Sequence, residues 1–375
     1  MELTNIRLGD YIERSTINNK ELKYGVDLIV GVNSQGVFAA PKGNTDGVDL
    51  KPYKIVENGA FVYNPTRLEL GSIAYRTEGL CIVSHLYMVF YLTDEGKKII
   101  DPMWLYIYFR RSEFCREVKF RNFGSQRPEF NFNDMSDIVI PLPDIEIQKK
   151  YVDIYNAMLE NQKSYEYGLE DLKLACDAYI EDLKHGIHCK AIGPYVERHD
   201  VRNRTNEIKN VMGVSTSKEF REPTSKVNRN ELSNYKIVRP RQISFVQTTH
   251  NEKVFAYAFN NTEDDIVVTS VNEVFSVDED KLLPEYLCMF FNRTEFDRYV
   301  RFHSWGSARE TFTWDDLVKV EIPIADMKTQ KSIADIYKAY KERKAINDKL
   351  KVKIKDICPI LIKGSIEEAR KAKEA

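Results

Sequence analysis

The sequence predicts an α+β protein in which two sheet-rich domains alternate with two long helices, and the helices pair as an antiparallel coiled coil about an approximate two-fold axis. Three observations predict it. The block "GSQRPEFNFNDMSDIVIPLPDIEIQKKYVDIYNAM" from Gly124 returns as "GSARETFTWDDLVKVEIPIADMKTQKSIADIYKAY" from Gly306, offset by 182 residues with 14 identities in 35 positions. The same offset pairs "YKIV" at Tyr53 with "YKIV" at Tyr235, "RSEF" at Arg111 with "RTEF" at Arg293, and Cys176 with Cys358. Since twice 182 nearly fills the 375 residues, each copy is a domain-sized module rather than a solenoid unit. Each copy, finally, changes from short β-branched and aromatic runs to one long helical pattern.

Taken in order, the first copy offers "DLIVGV", "GAFVYN" and "CIVSHLYMVFYL" as strands, and the second offers "NVMGV", "QISFVQ" and "DIVVTSVNEVFSV". All are bounded by Gly, Pro or Asn. A helix follows in each, "PMWLYIYFRRSEFCREV" and "PEYLCMFFNRTEFDRYV", with Pro in the first turn. Then comes the long helix, about 60 Å at 1.5 Å per residue. Its seam runs through Tyr151, Tyr155, Met158, Gln162, Tyr165, Leu169, Leu172, Cys176, Tyr179 and Leu183 at spacings of four and three, interrupted only by Gln162. The second seam is Ile333, Tyr337, Tyr340, Lys344, Asn347, Lys351, Ile354, Cys358 and Leu361. It is polar in its middle, and Ile346, Leu350 and Ile357 offer a shifted stripe. Pro359 should kink or break this helix, while Asp144 and Asp326 suit its and its partner's N-caps. The helix-pairing residues are therefore Tyr155, Met158, Tyr165, Leu169, Leu172, Cys176, Tyr337, Tyr340, Ile354 and Cys358. The expected divisions are 1–143 and 187–325 for the sheet-rich domains and 144–186 and 326–375 for the helices. An antiparallel pair would hold the two domains at opposite ends of a rod.

Composition limits the function. A net charge of −2 points to no polyanionic partner globally, so any nucleic-acid contact must rest on local patches. No apolar run is long enough to span a bilayer and "MELTNIRLGDYIE" is neither a signal nor a transit peptide, so a cytoplasmic protein is expected. Six cysteines occur without a C-x-x-C pair. His185, His188 and Cys189 lack an evident fourth ligand at what reads as a domain junction, so no metal site is expected. Nucleotide-binding, zinc-protease and serine-hydrolase motifs are missing. "NPTR" at Asn64 resembles the start of the Asn-Pro-Pro-aromatic loop of DNA amino-methyltransferases, but Thr66 and Arg67 replace the residues that would hold a base. Asp144 and Glu146 belong to a helix first turn, where the dipole favours acidic groups, and Lys328 replaces Glu146 in the second copy. No catalytic residue is expected.

Binding remains. Residues 197–241 carry eleven Lys/Arg against six Asp/Glu, and "RRSEFCREVKFRNFGSQR" from Arg110 is basic and aromatic. Arg with Asn, Gln and Ser on loops is the donor and acceptor set that reads base edges and grips phosphates.

The repeated block resembles the G-S-x-R…I-P-x-P-x-x-x-Q signature of the specificity subunits of type I restriction-modification systems. Ala325 departs from it where the first copy has Pro143. The resemblance covers essentially the whole chain, and implies two target-recognition domains, each reading half of a bipartite gapped DNA sequence, with the helices setting the unread spacer. It further implies two modification (methyltransferase) subunits and two restriction (nuclease/translocase) subunits as partners. AdoMet, ATP and Mg would sit on those partners and no cofactor on this chain. Double-stranded DNA contacts are expected from Arg14, Asn33, Asn64, Arg67 and Arg76 in the first domain and from Arg198, Ser215, Arg241, Gln247 and His250 in the second. Arg127 and Arg309 would grip phosphate or tie each domain to its helix. Two alternatives stand beside this reading: an orphan specificity-like DNA-binding subunit of a modification-only or phage-exclusion system, and a protein-interaction scaffold.

Overall fold

The computed structural model describes residues 4–41, 43–122, 129–248, 254–304 and 310–374. The chain forms two compact units, Met1–Ser164 with Asn347–Ala375 and Tyr165–Ile346. Each unit contains one copy's sheets and a stretch of both long helices.

In the first unit the central sheet has the order Ile12–Ser15, Met88–Leu92, Phe61–Tyr63, Ile73–Tyr75, all antiparallel. The second unit repeats it with Val196–His199, Asn272–Val277, Ile243–Val246 and Tyr257–Phe259. Three two-stranded pairs accompany each sheet: Asn5–Arg7 with Val139–Pro141, Gly31–Val32 with Phe38–Ala39 and Lys54–Val56 with Cys81–Val83, and their counterparts in the second copy. The repeat therefore holds strand by strand. The offset drifts, however: Ile12–Ser15 answers to Val196–His199 at 184 residues, whereas Lys54–Val56 answers to Lys236–Val238 at 182. The run "CIVSHLYMVFYL" divides into two strands of different sheets around a turn at Ser84–Tyr87, because Tyr87 N–H bonds back to the Ser84 carbonyl.

The helix expected from Pro102 to Val118 is two helices, Pro102–Phe109 and Ser112–Arg121, and its counterpart is likewise Pro284–Phe291 and Thr294–Phe302. Arg111 and Arg293 break them, each holding an extended backbone with ψ of 146° and 144° as the N-cap of the second piece. The break has a packing reason. Pro102–Phe109 is buried from Trp104 through Phe109, too apolar to keep any solvent face. The next piece turns to bury only Phe114 and Val118, or Phe296 and Val300. Two capping boxes, Asn131 with Asp134 and Thr313 with Asp316, start the short helix before the long one.

The long helices run Ile145–Gly186 and Met327–Glu374. The second is not interrupted at Pro359. Ile354, Cys358, Leu361 and Ile362 bury on both sides of the proline in the first unit's core, and that packing outweighs the missing backbone donor. Asp326 caps by accepting from the Lys328 and Thr329 N–H groups at 3.0 and 3.1 Å. At Asp144 the backbone carbonyl receives the N–H groups of Ile147 and Gln148.

Within the first unit the helix segments pack antiparallel: Lys150 and Tyr151 reach Glu368 at 2.8 and 3.0 Å, and further along Gln162 donates to Asn347 at 2.9 Å. Val152 and Tyr155 share a core with Ile354, Cys358 and Leu361, with Met158 packed beside them. In the second unit Cys176 and Ile180 bury with Ile333 and Tyr337. Tyr165, Leu169, Leu172 and Tyr340 are half-buried and Tyr179 is exposed; on the shifted stripe Ile346 is exposed and Leu350 and Ile357 are half-buried, so the buried residues of the second helix from 347 to 361, Asn347, Ile354, Cys358 and Leu361, belong to the main seam. Burial pushes the Cys176 and Cys358 thiols up to about 11, which keeps them as small core groups.

One clamp recurs. Gln148, with no exposed surface, accepts from Asp101 N–H at 2.8 Å and donates to the Ile99 and Pro143 carbonyls at 2.8 and 2.7 Å. Gln330 does the same with Leu283 N–H and the Lys281 and Ala325 carbonyls at 2.9, 2.9 and 2.8 Å. The third bond is to a backbone carbonyl, so Ala325 serves where the first copy has Pro143. We expect Gln148→Ala or Gln330→Ala to cost about 2 kcal/mol or more, since each strands one donor and two acceptors in the interior at about 1–3 kcal/mol per group. Glu146→Gln on the same exposed first turn should change stability by less than about 0.5 kcal/mol. Urea unfolding followed by circular dichroism measures both, and equal effects would remove the clamp's assigned role.

Candidate nucleic-acid interface

The sheet places Arg14 and Arg198 at one position: Arg14 lies opposite Phe90, and Arg198 opposite Phe275. Their surroundings differ. Arg198 grips Glu273 through two hydrogen bonds of 2.8 Å. Glu273 is 3% exposed, lies 3.5 Å from Lys236 Nζ and also accepts from Gln247. Strand pairing puts Met88 at the Glu273 position of the first copy, Met88 being opposite Tyr63 as Glu273 is opposite Phe245. Arg14 thus has no ion-pair partner among the described residues, and stands exposed beside Lys54. Burial, and then the Arg14 charge, push the Lys54 ammonium below its ordinary range.

Asn33 and Arg67 come together, lining one cleft of about 440 Å³ with Ser34, Asn44, Ser84 and Tyr87. Asn33 also shapes its own turn, accepting from Gln35 and Val37 N–H. Asn64 accepts from the Thr66 N–H and hydroxyl at 3.1 and 2.9 Å, which fixes the turn that presents Arg67. Arg76 lies over the Phe38 ring at 5.3 Å and donates to the Leu80 carbonyl.

In the second copy Ser215 is buried and closes its turn on the Glu219 carbonyl at 2.9 Å. Arg241 is held by Glu279 and Glu285 at 2.6 and 2.5 Å, and lies 5.4 Å from the Phe259 ring. Arg198, Arg241 and Gln247 are therefore tied to carboxylates. His250, Arg127 and Arg309 lie outside the described residues, as do both G-S-x-R segments. Among the described residues no His, Cys, Asp or Glu group could hold a metal ion, and no helix is long and apolar enough to cross a membrane.

Two positioning devices escape a sequence reading. Arg110, 6% exposed, reaches from the apolar helix to the Gly71 and Ser34 carbonyls and supports the loop whose Gly36 has φ of 77°. In the second copy Lys218 occupies the Gly36 position with φ of 61° and reaches the other way, to the Phe291 carbonyl at 2.7 Å and to Asp297 at 2.8 Å. The same loop is anchored from opposite ends. The Glu273 hub did leave a signal, a lone carboxylate inside an apolar strand run.

A duplicated α+β scaffold, with a loop cleft lined by Arg, Asn and Ser in its first copy, defines a duplicated binding protein. Residues 2–166 and again 194–356 match the family model described as type I restriction modification DNA specificity domain, and the chain belongs to that family. It carries two DNA specificity domains, of a family that supplies specificity rather than catalysis. The type I restriction-modification S subunit from M. genitalium is similar in structure over 98% of this chain and 96% of its own, at 10% identity and a TM-score of 0.56. That likeness shows the fold. The HsdS subunit from Thermoanaerobacter tengcongensis aligns over 97% of this chain and 96% of its own, at 15% identity and a TM-score of 0.38. No curated protein matches the sequence.

Two predictions follow from these contacts. Arg14→Ala should leave the unfolding midpoint unchanged, whereas Arg198→Ala, which strips a buried carboxylate of two donors, should lower stability by about 1–3 kcal/mol. Calorimetry of the two variants decides this. Second, burial pushes the Glu219 carboxyl up, but hydrogen bonds and charge from Lys341 and Lys344 outweigh it and hold the group below its ordinary 4.5. Burial likewise pushes the Glu285 carboxyl up, and the hydrogen bonds and charge of Arg241 overcome it and hold the group below its ordinary 4.5. Depressed folded values mean stabilisation that is complete above 4.5 and lost as pH falls through the folded value. Glu219→Gln with Glu285→Gln should flatten the loss of stability as pH falls below about 5. An unchanged acid limb would dismiss these ion pairs as its source.

Proposed function

We propose that the chain is the DNA-specificity subunit of a type I restriction-modification complex, with each sheet-rich domain reading one half of a bipartite, gapped target. The long helices set the unread spacer and, with the repeated block, dock two modification subunits. Two restriction subunits complete the assembly. Methyl transfer and ATP-driven cleavage, with AdoMet, ATP and Mg, belong to those partners.

The observation that supports this reading is a scaffold kept in both copies around polar supporting groups that differ. Sheet order, capping boxes and the glutamine clamp recur. Meanwhile Glu273 stands at the position of Met88, Lys218 at that of Gly36 and Asn292 at that of Arg110. Two domains that present one framework and two chemistries suit two different half-sites met in equivalent orientations on a duplex. Arg14 and the Asn33–Arg67 cleft would serve the first half-site. In the second, the Glu273 hub would hold Arg198 and Gln247 in fixed orientation, a preorganised donor pair.

The test is a map of methylated adenines in the source organism with and without the gene. Loss of one gapped motif is expected, and exchange of residues 12–141 for the corresponding domain of another specificity subunit should replace only one half of that motif. A map that does not change on deletion in a strain whose modification subunit is expressed would overturn the assignment.

A further inference from the structure

Resting on the reading that the chain binds DNA, we infer that the helix after the apolar one carries, in each copy, a sequence-independent contact to the DNA backbone. It is made by Arg116, Lys119 and Phe120 in the first unit and by Arg298, Arg301 and Phe302 in the second. Each helix buries one face, Phe114 and Val118 or Phe296 and Val300. The opposite face ends in a phenylalanine that is 82% exposed at 120 and 79% at 302. A single exposed aromatic is ordinary. Two at equivalent positions, each with the same cations three or four residues apart on one face, are not accounted for by folding.

The pattern of change within the repeat sharpens this. Cys115 becomes Asp297, Glu117 becomes Tyr299 and Arg121 becomes His303, while Arg116, Lys119 and Phe120 become Arg298, Arg301 and Phe302. The buried face also recurs, as Phe114 and Val118 or Phe296 and Val300, but an exposed ring beside exposed cations recurs only on the outer face, next to Glu113 or Glu295. Cations in a last turn also complement the helix dipole, which accounts for Lys119 and Arg301 but not for the rings. Lys119 and Arg301 have no ion pair among the described residues, and Arg116 and Arg298 touch only Glu113 and Glu295 at 3.5 and 3.0 Å. Those are exposed i, i+3 pairs, weak enough to be exchanged for another anion.

Two domains that read different bases have in common the part of DNA without sequence, its phosphates and sugars. Cations spaced along one helix face grip phosphates, and an adjacent apolar ring packs on deoxyribose or wedges at a minor-groove step.

The test uses the full chain assembled with its modification subunit. Salt-dependent anisotropy is recorded on a duplex of about 30 base pairs that carries the mapped target and on one of equal length that lacks both half-sites. The variant Lys119→Ala, Phe120→Ala, Arg301→Ala, Phe302→Ala should weaken binding to the non-target duplex about tenfold or more, and flatten the slope of log K against log salt by about two. Affinity for the target should fall by the same factor, leaving the ratio unchanged. Charge reversal, Lys119→Glu with Arg301→Glu, should flatten the slope further without touching any buried group. Unchanged slopes in both variants while the wild type discriminates its target would refute this contact and leave the specificity reading standing. Loss of modification-subunit association at an unchanged slope would reassign the patch to protein docking. A wild-type complex that does not discriminate the target would remove both readings.

Discussion

The fold depends on a glutamine that has no solvent and no charge. Gln148 and Gln330 each join three backbone segments: the entry to the long helix, the carbonyl just upstream of the apolar helix, and the N–H that begins it. An amide is suited to this because it donates twice and accepts at once, so one side chain satisfies groups that would otherwise be orphaned at a helix start. In a low-dielectric site each of those bonds is stronger and each vacancy more costly. The clamp thereby fixes the direction in which the long helix leaves its own domain. Where the seam then falls, and which residues of Pro102–Phe109 or Pro284–Phe291 it meets, follows from that direction.

Much of this was open to reading in the residues, and the failures have physical causes. The repeat, the strand runs, the capping residue Asp326 and both seams are local or periodic signals, and local signals survive translation into structure. The break at Arg111 and Arg293 was not visible, because neither junction carries a Gly or Pro and Ser112 and Thr294 are weak signals by themselves. What breaks it is a tertiary demand, that a wholly apolar helix be followed by one with a solvent face. Pro359 failed in the opposite sense: the proline signal is strong, yet burial of Ile354, Cys358, Leu361 and Ile362 around it holds the helix together. The partners of the candidate contact residues were the least legible part. Arg198 and Arg241 read as free cations in a basic stretch, but their carboxylate partners lie 75 and 44 residues away in Glu273 and Glu285, a separation that no local pattern reports.

The polar interruptions of the seam are also informative. Gln162 and Asn347 are both buried and bond to each other within the first unit. A buried polar pair contributes little to stability against an apolar one, but it has only one register in which both partners are satisfied. The residue equivalent to Gln162 in the repeat is Lys344, and it leaves the seam for Glu219 of its own recognition domain at 3.0 Å. Arg293 acts similarly, 3% exposed and paired with Asp177 of the long helix at 3.1 Å. In the first copy its equivalent, Arg111, instead stacks 3.7 Å from the Tyr108 ring, because Pro359 stands where Asp177 would be. One copy uses its mid-seam polar group for register, the other for holding its domain.

The loop around Gly36 and Lys218 shows how such a framework can change what it presents. In one copy an arginine rises from the helix to loop carbonyls, and in the other a lysine descends from the loop to a helix carbonyl and Asp297. Both solutions place a buried cation between the same two elements, and both keep the turn in its left-handed conformation. Lys218 does so with a side chain present, at a φ that favours glycine. The three contacts of its ammonium oppose that strain. Burial lowers the ammonium below its ordinary range against the pull of Asp297, as expected for a charge held in the interior for structural reasons. Because the anchoring group comes from the helix in one copy and from the loop in the other, neither copy uses side chains on the outer side of the loop as anchors. Support and surface are thereby separated within each DNA specificity domain.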